Sequence, residues 1–304
     1  MNYGKKLREV RKRKNFSQEQ LANHYSKKGE KNTLSNLSKA ERENTNVGVL
    51  TLKCWLDRMD MSLDEYYSYC EMETNNYMEE IDEITSAYEA NQTKRLVELQ
   101  RYYHNKRQER RRFRLFSLLC DGYINKISNR ELSKRKLSLI EEFVENLDYW
   151  YKFELVYYAG AITLFPEQNS AKRMKKIIRL YKTNHIAQHN EKYVILISLN
   201  TLYKLIESRK LDLYKDCLQS FKEFSLGKDL IFEQLRLNFI DKCYHCLIQG
   251  KNAHYVELLH SIELIKLYAS KTEADFHFRF AEELFSEAKK GDIIRTYFEK
   301  TISK

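Results

Sequence analysis

The chain has 304 residues, 42% of them apolar or aromatic and 32% charged, with 53 Lys and Arg against 43 Asp and Glu for a formal net charge of +10. One proline and eight glycines are too few for the tight turns of a β-sandwich or barrel, and the composition does not suit a collagen-like or disordered chain. No apolar run reaches the roughly 18 residues a membrane span needs, and the excess of base favours a polyanionic partner.

The opening MNYGKKLREVRKRK lacks the apolar stretch of a secretory signal, and a reducing cytoplasm is the expected location. There the six cysteines (54, 70, 120, 217, 243 and 246) read as buried thiols rather than a disulfide frame. Charge is unevenly spread. Residues 1–42 carry 12 Lys and Arg against Glu9, Glu19, Glu30 and Glu41, whereas residues 43–72 carry six acids against Lys53 and Arg58. A small basic head on a large, nearly neutral body is the asymmetry of a nucleic-acid reader with a separate sensing or assembly part. A solvated, lysine-rich terminus is the plainer alternative.

Apolar spacing then lays out the elements. Tyr3, Leu7 and Val10 fall at i, i+4, i+7, the stripe of an amphipathic helix, and Asn15 is a plausible stop. Ser17-Gln18-Glu19-Gln20 is a capping box opening a second helix with Leu21, Ala22 and Tyr25 inward. SKKGEKN (26–32) is a turn. A third helix follows, with Leu34, Leu37 and Ala40 inward and Ser35, Asn36, Lys39 and Arg42 outside. Leu52, Trp55, Leu56 and Met59 mark a fourth, and a second capping box, Ser62 with Glu65, opens a fifth carrying Leu63, Tyr66, Tyr67 and Cys70. Five short helices, the third polar and basic outside, suit a helix-turn-helix domain. Asn and Lys side chains can pair with base edges in a major groove, which singles out Ser35, Asn36 and Lys39. Arg8, Arg11, Gln18 and Arg42 stand where helix starts and flanks meet phosphates.

Residues 71–77 (EMETNNY) are polar and form the expected linker between a 1–70 domain and a 78–304 domain. Beyond them an apolar template repeats. Tyr214, Cys217, Leu218, Phe221 and Phe224 are matched 41 positions later by Tyr255, Leu258, Leu259, Ile262 and Ile265. Met174, Ile177, Ile178 and Tyr181 match it 40 positions earlier, Leu139, Ile140 and Phe143 a further 38 back, and Tyr297 falls in phase near the terminus, where a short capping helix fits. Intervening helices are expected near 110–126, 150–165, 188–207, 228–249 and 272–289. Two helices per unit of about 40 residues make a stacked solenoid with a curved surface. The fold class is therefore all-α, a helix-turn-helix head followed by a tetratricopeptide-like repeat array.

The string GKKLREVRKRKNFSQEQLA, followed by LSKAERE and LTLKCWLDRMDMSLDEYY, resembles the Xre/Cro-class helix-turn-helix that heads the Rgg/MutR-type regulators of Gram-positive bacteria. That family pairs such a head with a tetratricopeptide-like body that receives a peptide pheromone. WYKFELVYYAGAITLF (150–165) is similar to its aromatic helix, and ILISLNTLYKLIE (195–207) to a helix whose asparagine faces the peptide groove, here Asn200. The resemblance implies a homodimeric, non-enzymatic regulator that binds double-stranded DNA and a short signalling peptide, without cofactor, metal or membrane. A carboxamide can pair with both the C=O and N–H of an extended peptide, and Tyr158 and Arg236 are further groove candidates. A protein–protein adaptor using the repeat groove, with the head serving localisation, is the alternative reading.

Other signals look chemical. Cys243-x-x-Cys246 with His254 and His260 has a middle gap too short for a zinc finger, and Cys243 and Cys246 share a helix face with Phe239 and Leu247. His185 and His189 have metal-ligand spacing, yet Ile186 stands where a metalloprotease needs glutamate. No phosphate-cradling glycine loop or nucleophile elbow occurs. The basic run Lys106, Arg107, Arg110, Arg111, Arg112 and Arg114 extends a DNA footprint, meets an acidic ligand end, or is simply solvated.

Overall fold

The computed structural model describes residues 3–22, 34–42, 47–70, 77–145, 147, 149–222, 224, 226–227 and 230–286, and among them helices are the only regular elements. The 26–32 turn, linker residues 71–76 and the capping helix at Tyr297 lie outside the described residues. The chain divides into two compact units, Met1–Asn76 and Tyr77–Lys304.

The first unit holds α1 (Tyr3–Arg13), α2 (Gln18–Ala22), α3 (Leu34–Arg42), α4 (Val49–Arg58) and α5 (Leu63–Tyr69). Asn15 ends α1 in a left-handed turn, φ 59°, a conformation that asparagine tolerates better than other side chains. Both capping boxes form. Ser17 Oγ accepts from Gln20 N (3.0 Å) while Gln20 Oε1 accepts from Ser17 N (2.8 Å), and Ser62 and Glu65 exchange the same pair at 3.1 and 2.6 Å. The core gathers Leu7, Val10, Leu21, Leu37, Ala40, Trp55, Leu56, Met59, Tyr66 and Cys70. Gly4 sits where α1 meets α3, and a methyl there would overlap the Ala40 carbonyl.

The second unit runs α6 (Tyr77–Glu89), α7 (Thr93–Asn105), α8 (Arg111–Ile127), α9 (Lys134–Glu145), α10 (Lys152–Ala161), α11 (Glu167–Lys182), α12 (Glu191–Glu207), α13 (Leu211–Lys222), α14 (Ile231–Gln249), α15 (Asn252–Tyr268) and α16 (Lys271–Phe285). A 3-10 turn, Ile162–Leu164, extends α10. Helices α10, α12 and α14 pack side by side, and α11 and α13 pack behind them, so the pairs stack as two layers. The repeating template marks the inward stripes of α9, α11, α13 and α15. Tyr214, Cys217, Leu258, Ile262, Ile265, Met174, Ile177 and Ile140 are all at most 1% exposed. With few glycines, the helices end on asparagine. Asn91, Asn129 and Asn184 all have φ between 52° and 60°, Arg209 has φ 55°, and Gly250 has φ 60°.

Cys243 and Cys246 are 0% and 2% exposed, and burial pushes the Cys243 thiol well up. His254 hydrogen-bonds Gln249 (2.9 Å) and stacks on His245.

Candidate nucleic-acid interface and ligand groove

In the head, Ser35, Asn36, Lys39 and Arg42 are all exposed. At 100° per residue their Cβ atoms share one face of α3, opposite buried Leu37, Ala40 and Glu41. Leu34 does not join the inward face as its spacing suggests; it is 40% exposed. Arg8 is exposed on α1. Arg8, Gln18 and Arg42 border a hollow of about 530 Å3, whose wall also includes Glu19 and the Arg11 and Glu41 pair.

Arg11 has a different position from the one its spacing suggests. It is 7% exposed, its Nε and Nη2 donate to the two Glu41 oxygens (2.6 and 2.9 Å), and its Nη1 donates to the Phe16 carbonyl (2.7 Å). A guanidinium held on three sides inside the protein is not available to a phosphate, so Arg11 ties α1 to α3 instead. Gln18 Nε2 donates to the same carboxylate at 2.7 Å, which aligns the start of α2 on that pair. Glu41 is the residue missed by the sequence reading, because nothing near it in the chain announces a partner thirty positions away.

In the body, Asn200 and Arg236 meet. Asn200 Nδ2 donates to the Ala159 carbonyl and its Oδ1 accepts from Arg236 Nη2, each at 3.3 Å. The carboxamide is thus oriented from both ends, while one N–H and one lone pair stay uncommitted. Arg236 lies over the rings of Tyr203 (5.3 Å) and Phe232 (5.8 Å). One turn along α12, buried Lys204 donates to the carbonyls of Ile162 (2.9 Å) and Phe165, and burial lowers its pKa to about 8. Asn200 fastens α12 to the end of α10, and Lys204 fastens it to the 3-10 turn that follows, where carbonyls at a helix end need donors.

Tyr203 Oη hydrogen-bonds His277 Nε2 at 2.7 Å, and His277 Nδ1 is 2.6 Å from the Glu273 carbonyl. Burial lowers the His277 pKa to about 4, so the ring is neutral, with Nδ1–H donating to the carbonyl and Nε2 accepting from the tyrosine. Glu89, from the end of α6, keeps its solvent contact. Loss of surrounding water, then Glu273, push its carboxyl pKa up, and Arg236 pulls it down. Glu89 itself is exposed, and nothing in sequence spacing joins it to Glu273.

Tyr158 does not join Asn200 and Arg236. It is 0% exposed, with its ring against Trp150 and Phe165 and its hydroxyl toward Arg173 and Ser170 of α11. Tyr158 therefore packs in the core and does not face the groove expected of it.

A five-helix head with a polar third helix, followed by a two-layered array of helix pairs, defines a helix-turn-helix protein with a repeat body. The family described as "HTH-type transcriptional regulator Rgg, C-terminal domain" matches residues 96–277, more than half of the chain. The chain belongs to the Rgg family of transcriptional regulators. Its fold is similar to the SHP pheromone receptor Rgg2 of Streptococcus dysgalactiae, with TM-score 0.71 and 16% identity over 94% of this chain and 100% of that one. It is also similar to PrgX in complex with iCF10, with TM-score 0.69 and 16% identity over 99% of this chain and 96% of that one. A bacterial peptide pheromone/receptor complex aligns at TM-score 0.65 and 15% identity over 93% and 97% of the two chains. No curated protein sequence matches this chain.

Proposed function

We propose that this regulator reads DNA through Ser35, Asn36 and Lys39, holds phosphates through Arg8, Gln18 and Arg42, and binds a short signalling peptide at Asn200 and Arg236. It acts as a homodimer in the cytoplasm, and the peptide shifts the arrangement of its two heads. No helix among the described residues is long and apolar enough to cross a membrane.

The observation that supports the peptide reading most is the carboxamide of Asn200, fixed by Ala159 and Arg236 with a donor and an acceptor left over. That pair fits one backbone unit of an extended peptide whatever its side chains. The similar structures include a bacterial peptide pheromone/receptor complex, which supports the same reading. A thermal-shift screen of the full chain against a library of short synthetic peptides tests it. A hit should bind Asn200→Ala about tenfold more weakly, the worth of about one net hydrogen bond, with Arg236→Gln behaving alike. Affinity of the peptide-free protein for its DNA should stay unchanged. Equal loss of peptide and DNA binding in both variants contradicts the assignment.

A further inference from the structure

Residues 101–114, the end of α7, the turn after it and the start of α8, hold seven Lys and Arg against the single acid Glu109, a net charge of +6. Residues 73–304 together carry the same +6, so outside this tip the body is neutral. Arg112 is committed to Glu80 at 3.2 Å. Arg101, Arg107, Arg110, Arg111 and Arg114 are exposed, and none of them forms an ion pair among the described residues.

The tip is also at odds with its own helix. Arg110 occupies the N-cap of α8 without a side-chain capping bond, and the first turn contains no acid. Cations at the positive end of a helix dipole repel it; Arg107 donates to the His104 carbonyl (2.7 Å) and Arg111 lies over the Phe143 ring (4.8 Å), yet neither contact neutralises a charge. An anion placed there would relieve the repulsion and meet unsatisfied N–H groups.

We propose that the α7–α8 tip is a second contact to the phosphate backbone of the DNA that the head reads. This rests on the DNA-binding reading above. A protein partner would want an apolar centre, yet Tyr102 is the only exposed large apolar side chain of residues 101–114. Phosphates need only long cationic side chains, and these surround the tip.

The test compares the full wild-type chain with the triple variant Arg107→Ala, Arg110→Ala, Arg114→Ala. Binding is measured by anisotropy over a salt series, on a duplex selected by the wild type and on the same site with flanks added. The plot of log affinity against log salt should flatten by about 2 to 3 on the flanked duplex, at about 0.9 per lost phosphate contact, and less on the bare site. The preference among site variants should not change. The corresponding triple Lys variant should keep the wild-type slope, because charge alone is required. Equal slopes for wild type and Ala variant on both duplexes overturn the proposal. Equal slopes together with weaker binding of a labelled polyglutamate peptide overturn it in favour of an acidic protein partner. A wild-type chain with no salt-dependent DNA binding removes the functional reading itself, and this one with it.

Discussion

Arg8 and Arg11 lie one turn apart on the same helix and are indistinguishable by spacing, yet one is solvated and the other is 7% exposed against Glu41. Removing one partner of a buried ion pair leaves the other charge uncompensated. Arg11→Ala should therefore lower the stability of the head by about 3 to 5 kcal/mol, read as an earlier first transition in urea. Arg8→Ala should leave that transition in place and weaken DNA binding. Similar stabilities for the two variants would contradict these positions. The same limit explains Tyr158. Spacing identifies which side chains share a helix face, but not whether a neighbouring helix covers that face. Asn200 and Arg236 could be singled out as residues, whereas their mutual hydrogen bond depends on how α12 and α14 pack.

At the scale of elements, the sequence was most legible where a pattern repeated. The stripes of α9, α11, α13 and α15 were readable because one template recurs in phase, and both capping boxes were readable because their chemistry is local. Close approaches were not. Gly4 looks like a poor helix residue, and propensity alone expects Gly4→Ala to stabilise α1 by roughly 1 kcal/mol. Its contact with the Ala40 carbonyl reverses the sign, since overpacking costs about 1 to 3 kcal/mol. Urea midpoints of the head should fall in Gly4→Ala, and a rise would show that α1 and α3 stand further apart. Helices α12 and α16 are joined by a further device, the bonded pair Tyr203 and His277. The folded pKa of His277, about 4, lies below the ordinary 6.5. Its contribution to stability is present above pH 6.5 and is lost as pH falls through about 4, a difference of about 3 kcal/mol. His277→Gln should show a shallower loss of stability between pH 6.5 and 4 than the wild type. Parallel profiles would mean that His277 is not the group being titrated.

For the whole molecule, the division into a basic head and a longer helical body was legible in the charge distribution and in the repeat. What the body holds was not, because the groups that orient Asn200 are Ala159 and Arg236, on two other helices far apart in sequence. The proposed reading of DNA sequence by the outer face of α3 is checked by selecting duplexes from a random pool with the full chain and measuring affinities for single-base variants of the selected site. Two half-sites about one helical turn apart are expected, with Lys39→Ala relaxing discrimination at one position of each by about 1 to 3 kcal/mol. Selection without any preferred sequence, or a Lys39→Ala variant that binds every site uniformly more weakly, would contradict it.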